Sequence, residues 1–298
     1  MQQPAPARAP LVWRDMDQAA LDDAYDQAVY APNRDHVLAR LGAASESARK
    51  RLKPQRAAYG PSEHEGLDIY AAADAGKAPA PINVFVHGGG WQVSSAADTA
   101  FTAEPIVGAG AHAVLIDFIT VNQAGGDLFP LYRQVSRALA WVWRNAESFG
   151  GDRNRLYVSA HSSGSHLAAC ALARGWREEN LPPDFCKGAM LTGGMYDLEP
   201  VRLSKRSRYV KFTDAMEQDL SPQRHLNDII TPLILGYGTC ETPEFQRQTR
   251  DFFTALRARG EPAELIVAEH YNHFELFENF ANPYGIIGRT RLRQMGLA

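Results

Sequence analysis

Two hydrophobic periods alternate along the chain, and the switches between them lay out its elements. Short apolar or alternating runs predict strands at Leu67-Asp68-Ile69-Tyr70, Ile82-Asn83-Val84-Phe85-Val86, Ala113–Asp117, Arg155-Leu156-Tyr157-Val158, Gly188–Thr192, Pro232–Tyr237 and Glu264–Ala268. Helical spacing fills the intervals. Leu21, Ala24, Tyr25 and Ala28 share one face of a helix over Asp17–Val29. Asn33 caps a second helix that reaches about Leu52, with Val37, Leu38 and Leu41 turned inward and Pro54 stopping it. Further helices are predicted over Asp98–Gly108, Leu131–Phe149, His166–Ala173, Glu244–Arg259 and near 274–281, with a short one at the end. Residues 1–12, rich in Pro and Ala, read as an extended arm, 75–81 as a turn, and 198–231 as an irregular polar insertion above the sheet.

Strands alternating with helices of crossover length predict an α/β fold: a mostly parallel central sheet with helices on both faces and an N-terminal helical arm. The expected division is 1–58, arm and helices packing on the core, and 59–298, catalytic domain.

Composition narrows the class. The 298 residues are 45% hydrophobic and 22% charged, enough apolar material for one large core. The net charge of -3 and the lack of a basic tract disfavour nucleic acid as a partner. A local Lys/Arg cluster over 202–211 reads as a solvated face. Cys170, Cys186 and Cys240 cannot all pair, and none forms a CxxC, so reduced thiols and a cytoplasmic location are expected. The N-terminus has no apolar signal core, and no run approaches the ~18 apolar residues of a membrane span, so no membrane partner is expected. Without HExxH, a Cys/His cluster or GxGxxG opening a helix after the first strand, no metal and no cofactor are expected. A homodimer is kept open as an assembly.

The candidate chemistry collects just after predicted strands, where open α/β sheets carry their sites. Ser159-Ala160-His161-Ser162-Ser163-Gly164-Ser165-His166 joins a strand to a small-residue helix, as a nucleophile elbow does, with Ala160 where the pattern has glycine. Serine needs an adjacent base, and the base needs a carboxylate to orient it. On such a fold the order is Ser, acid, His. Glu241 and His273 follow the last two strands in that order, with Asp197 as a rival acid and His270 as a rival base. His87-Gly88-Gly89-Gly90 follows a buried strand upstream of the elbow. Backbone amides of Gly88, Gly89 and Ser163 are the candidate oxyanion donors.

Together, His87-Gly88-Gly89-Gly90-Trp91-Gln92, His161-Ser162-Ser163-Gly164-Ser165-His166-Leu167, Tyr196-Asp197-Leu198 with Leu220-Ser221-Pro222, Glu241-Thr242-Pro243-Glu244-Phe245 and His273-Phe274 resemble the kynurenine formamidase (arylformamidase) branch of the α/β-hydrolases. The resemblance runs from about Tyr59 to Phe280, and more loosely through Tyr25-Asp26-Gln27. It implies the α/β-hydrolase fold and maps the triad acid onto Glu241, because the family's acid begins an acid-small-Pro-Glu-Phe segment. The family usually has Asp there, and an aromatic residue where this chain has Gly90. The implied activity is that of a serine hydrolase cleaving a small aryl formamide of the N-formylkynurenine type, with Trp91, Tyr196 and Phe274 as candidates for an aryl pocket. A broad carboxylesterase or aryl carbamate hydrolase with the same triad is the alternative. A non-catalytic binding relative is the alternative of another class.

Overall fold

The computed structural model describes residues 9–73, 76 and 78–298. The first eight residues of the expected arm, and Ala75 and Lys77 of the expected turn, lie outside the described residues.

The chain opens with a small hairpin, β1 (Leu11–Trp13) and β2 (Met16–Asp17), where an extended arm was expected. Asp17 then caps α1 (Gln18–Ala24) by accepting from the Ala20 amide. A 3₁₀ turn over Gln27–Tyr30 separates α1 from α2 (Arg34–Leu52), so the single helix expected over Asp17–Val29 is broken. The side chain of Asn33 does not cap α2. Strands β3 (Gln55–Ala58) and β4 (Gly66–Tyr70) form an antiparallel pair. The polar run Gln55-Arg56-Ala57-Ala58 carries no strand signal, because as an edge strand it has few apolar residues to bury.

From there the crossovers follow in order: β5 (Ala80–Val86), α3 (Ala103–Gly108), β6 (His112–Ile116), α4 (Phe129–Asn145), β7 (Gly151–His161), α5 (Ser163–Cys170), α6 (Trp176–Glu178) and β8 (Gly188–Thr192). The chain continues through α7 (Leu198–Leu203), α8 (Asp214–Asp219), β9 (Leu233–Gly238), α9 (Pro243–Ala258), β10 (Ala263–Ala268), α10 (His273–Glu278) and α11 (Ile286–Gln294). The eight-stranded sheet has the order β3-β4-β6-β5-β7-β8-β9-β10, antiparallel where β4 meets β3 and β6 and parallel elsewhere.

The period of two along β5 divides its side chains between two cores. Ile82, Val84 and Val86 join Val135 and Leu139 of α4, Leu167 of α5 and Phe245, Phe252 and Leu256 of α9. Phe85 points to the opposite face, with Val37 and Leu41 of α2, Ile106 of α3 and Leu276 of α10. The N-terminal elements serve both cores. Leu21 and Tyr25 belong to the first and α2 to the second. Full burial of Leu21 contributes about 2 kcal/mol. Ala28 and Leu38, expected on inner faces, are exposed, and the break at Gln27 ends the helical face that Ala28 would share with Leu21 and Tyr25.

Residues 198–231 are not an irregular polar insertion. They form α7, α8 and three 3₁₀ turns, pinned by buried Leu198, Val201, Val210, Met216 and Leu220. Each element is too short to show a period. No helix among the described residues is long and apolar enough to cross a membrane.

Candidate active site

Strand β7 drives straight into Ser162, whose φ of 59° and ψ of -130° lie outside the regions a serine ordinarily adopts. That turn is held from both sides. The Ser162 amide donates to the Thr192 carbonyl at 2.9 Å, and the Ser165 hydroxyl donates to the same carbonyl at 2.9 Å. Gly164 is required by close approach: a Cβ there would sit 2.2 Å from the Val86 carbonyl oxygen. Ala160, by contrast, is fully buried in regular β7 pairing with Val86 and Leu191, so the departure from the usual glycine is absorbed within the strand.

His273 is the first residue of α10. Its position is set by Asn272, whose side chain accepts from the Phe274 and Glu275 amides while Glu275 accepts in return from the Asn272 amide. Asn33, at the start of α2, reaches across to this cap: its amide donates to Glu275 at 2.6 Å and its oxygen accepts from Asn272 at 2.7 Å. This is what Asn33 does in place of capping its own helix.

The three side chains meet. His273 Nε2 lies 2.8 Å from Ser162 Oγ, and His273 Nδ1 lies 2.5 Å from Glu241 Oε1. Glu241 Oε2 accepts from the Gly238 amide at 2.8 Å. Gln27 donates to Glu241 Oε1 at 3.4 Å and accepts from the Thr242 amide at 3.2 Å. All three side chains are buried. Burial pushes the Glu241 carboxyl above the usual carboxylate range, against the pull of the Gly238 amide. Burial, with the Arg206 charge, pushes His273 below the ordinary imidazole range. A neutral imidazole that donates from Nδ1 presents its Nε2 lone pair to the serine hydroxyl, the geometry of proton abstraction. Gly193 backs the pair with no room to spare: a Cβ there would lie 2.6 Å from Glu241 Oε1 and 3.0 Å from His273 Nδ1.

The rival residues lie elsewhere. Asp197 caps α7, accepting from the Glu199 amide at 3.2 Å, and Gln248 holds the backbone at Tyr196 and Asp197 by accepting from both amides. His270 is exposed, at a φ of 67°.

The His87–Trp91 loop is fastened over the elbow. The Trp91 amide donates to Ser163 Oγ at 3.1 Å, and His87 donates from Nδ1 to the Gly88 carbonyl at 2.9 Å while its ring stacks on Phe118. The amides of Gly88, Gly89 and Ser163 have no acceptor among the described residues. Gly88 lies against Ser162, since a Cβ on it would meet Ser162 Cβ at 2.9 Å.

These groups open on a cavity of about 560 Å³, a volume suited to a small molecule. Ser162, His161, His273 and the glycine loop line one part of it. Gln27, Arg34, Leu38, Arg206, Phe274 and Phe277 line others. Of the three aromatic residues expected in an aryl pocket, Phe274 lines the cavity, but Trp91 and Tyr196 do not. Trp91 is packed edge-on to His166 and beneath the Arg206 guanidinium, and Tyr196 is stacked on Phe252 with no exposed surface. Both are core residues whose large faces are consumed by packing. Of the lining residues, Arg34, Tyr209 and Phe277 carried no mark in the sequence, and Tyr25 and Gln27 were marked only by the loose N-terminal resemblance. Arg206 falls in the Lys/Arg cluster over 202–211 that was expected to be a solvated face, and the structure corrects that expectation by burying it. A larger hollow of about 750 Å³ near Glu104, Tyr284 and Arg289 contains none of these groups. Among the described residues no group of three or more His, Cys, Asp or Glu could hold a metal ion.

Comparison with known proteins agrees with this architecture. The BD-FAE family model matches residues 67–181, the stretch from β4 past the elbow. The kynurenine formamidase of Danio rerio is 27% identical over 297 residues, covering 95% of this chain and 98% of that protein. The kynurenine formamidase of Salmo salar is 26% identical, again over 95% of this chain and 98% of that protein. Among solved structures, esterase LipW from Mycobacterium marinum superposes with a TM-score of 0.68 at 19% identity, over 91% of this chain and 89% of that one. The chain is a serine hydrolase of the α/β-hydrolase superfamily, and along nearly its whole length it is similar to the kynurenine formamidases.

Proposed function

We propose that the protein hydrolyses a small aryl formamide of the N-formylkynurenine type, with Ser162 as nucleophile, His273 as base and Glu241 as the orienting acid. The observation that carries this reading is the continuous hydrogen-bonded line from Glu241 through His273 to Ser162, at 2.5 and 2.8 Å, beneath amides that have no acceptor among the described residues. Similarity to two kynurenine formamidases over 95% of the chain supports the choice of substrate class.

In this mechanism His273 Nε2 takes the Ser162 proton as Oγ attacks the formyl carbon. The oxygen of the tetrahedral adduct accepts from the amides of Gly88, Gly89 and Ser163, which act only as negative charge develops. The C–N bond breaks, and His273 passes its proton to the leaving arylamine. Water then attacks the formyl ester, giving its proton to His273. The Ser162 oxygen leaves with that proton, and formate departs.

A second reading, a carboxylesterase or aryl carbamate hydrolase, is favoured by the esterases among the relatives, since the same three side chains serve either bond. The kcat/KM values for N-formylkynurenine, formanilide, an aryl acetate and an aryl carbamate separate the two. The formamide reading requires N-formylkynurenine to exceed the other substrates, and an aryl ester or carbamate that exceeds it overturns the reading.

A further inference from the structure

Arg206 is the unexplained charge of the cavity. It is 9% exposed, yet no carboxylate pairs with it among the described residues. Its Nη1 donates to Tyr209 Oη at 2.7 Å and its Nη2 to the Tyr25 carbonyl at 3.1 Å, while the buried Nε–H has no acceptor among the described residues. The guanidinium is flanked by the rings of Trp91 and Phe245, with centroids at 5.5 and 5.8 Å, which keep water from its faces. Asp26, the acid in the cavity lining, is engaged by Lys205. Arg34, Lys205 and Arg206 set against Asp26 leave the lining with a cationic excess. Asp26 acts on the Arg206 guanidinium only at a distance, since its direct partner is Lys205, and a buried cation with no direct ion pair is costly and is stabilised when an anion reaches it.

The glycine loop makes the room. A Cβ on Gly90 would sit 3.4 Å from Arg206 Nη1 and 3.7 Å from Tyr209 Oη, so any larger side chain at that place would compete with the guanidinium. Arg206 thereby shares one cavity with Ser162 and His273.

We propose that Arg206 determines substrate specificity by binding a carboxylate carried on the aryl leaving group. Preferred substrates are then aryl amides or esters with a tethered carboxylate rather than neutral ones. A guanidinium presents fixed N–H donors to a carboxylate, and such charge-assisted bonds discriminate strongly against an uncharged isostere. The inference rests on the reading of Ser162 as the attacking residue, but not on the bond cleaved being a formamide.

Two measurements test it. Calorimetry on the wild-type protein compares 3-phenylpropanoate with 3-phenylpropanamide, without turnover. The carboxylate is expected to bind about tenfold or more tighter, and equal binding overturns the proposal. Turnover then compares 3-(3-acetoxyphenyl)propanoate with its propanamide in wild type, Arg206→Gln and Arg206→Lys. The wild-type kcat/KM ratio is expected to favour the acid about tenfold or more and to collapse toward unity in Arg206→Gln, with Arg206→Lys between. A ratio unchanged in Arg206→Gln overturns the proposal whatever happens to the absolute rates. If Arg206→Gln does not fold, the calorimetric comparison decides. If the esters turn over and formanilide does not, the formamide reading fails while the ratio still tests Arg206.

Discussion

Gln27 Nε2 lies 3.4 Å from Glu241 Oε1, while its own oxygen accepts from the Thr242 amide at 3.2 Å. A residue from the N-terminal elements thus buttresses Glu241 from more than 200 positions away in sequence. Gln27→Ala removes one neutral hydrogen bond to the carboxylate and one to the loop. It is expected to lower kcat about three- to tenfold with a smaller change in KM. Steady-state kinetics on a formamide or ester checks this, and Gln27→Glu, which places a second carboxylate beside Glu241, is expected to be worse.

Glu241 and Asp197 separate cleanly by geometry. Glu241→Gln keeps the shape but removes the anion that fixes the His273 tautomer, so kcat is expected to fall by roughly 10³ to 10⁴. Asp197→Asn replaces one good helix cap by another and is expected to leave turnover within about twofold. Kinetics and thermal melts on both variants check the assignment, and the reverse order would move the acid role to Asp197.

Gly193→Ala tests the packing behind the pair. The added Cβ would intrude on both Glu241 Oε1 and His273 Nδ1, at a φ of 52° that already disfavours a side chain. Activity is expected to fall by about a hundredfold or more. Ala160→Gly makes the opposite point: restoring the usual elbow glycine frees a fully buried strand position and is expected to cost about 0.5–1 kcal/mol with no gain in rate. Melting temperatures and kcat measured together separate the two effects.

The pH profile carries a sign. The Glu241–His273 pair titrates as a unit, and the competent state is the one before it takes up a further proton. The Arg206 charge opposes that proton at His273. Removing it in Arg206→Gln raises the pKa of the pair, so the acid limb of kcat/KM is expected to move to higher pH by about half a unit to one unit. A downward shift would contradict the electrostatics described here.

The sheet was legible because its inner strands are continuous apolar runs between turn signals, and buried parallel strands have to read that way. That Ser162, Glu241 and His273 meet was legible because the fold puts strand ends in one place, so chain order stood in for geometry. What escaped had physical reasons. Edge strand β3 buries too little to show alternation, and α7 and α8 are shorter than two helical periods. Trp91 and Tyr196 were drawn to the site by their neighbours in sequence. Composition cannot tell an aromatic face spent on Phe252 or Arg206 from one left open to a ligand. Arg206 escaped because a cation with no acid near it in sequence looks solvated until tertiary packing buries it.

The central claim is that Ser162 is the nucleophile of a working hydrolase. The most direct measurement is labelling of the wild-type protein with a fluorophosphonate, followed by peptide mapping, beside Ser162→Ala. The expected result is a single adduct on the peptide carrying Ser162, loss of hydrolysis in step with labelling, and neither adduct nor activity in a folded Ser162→Ala. An adduct on another residue, or a Ser162→Ala variant that still hydrolyses its substrate at the wild-type rate, would contradict the account.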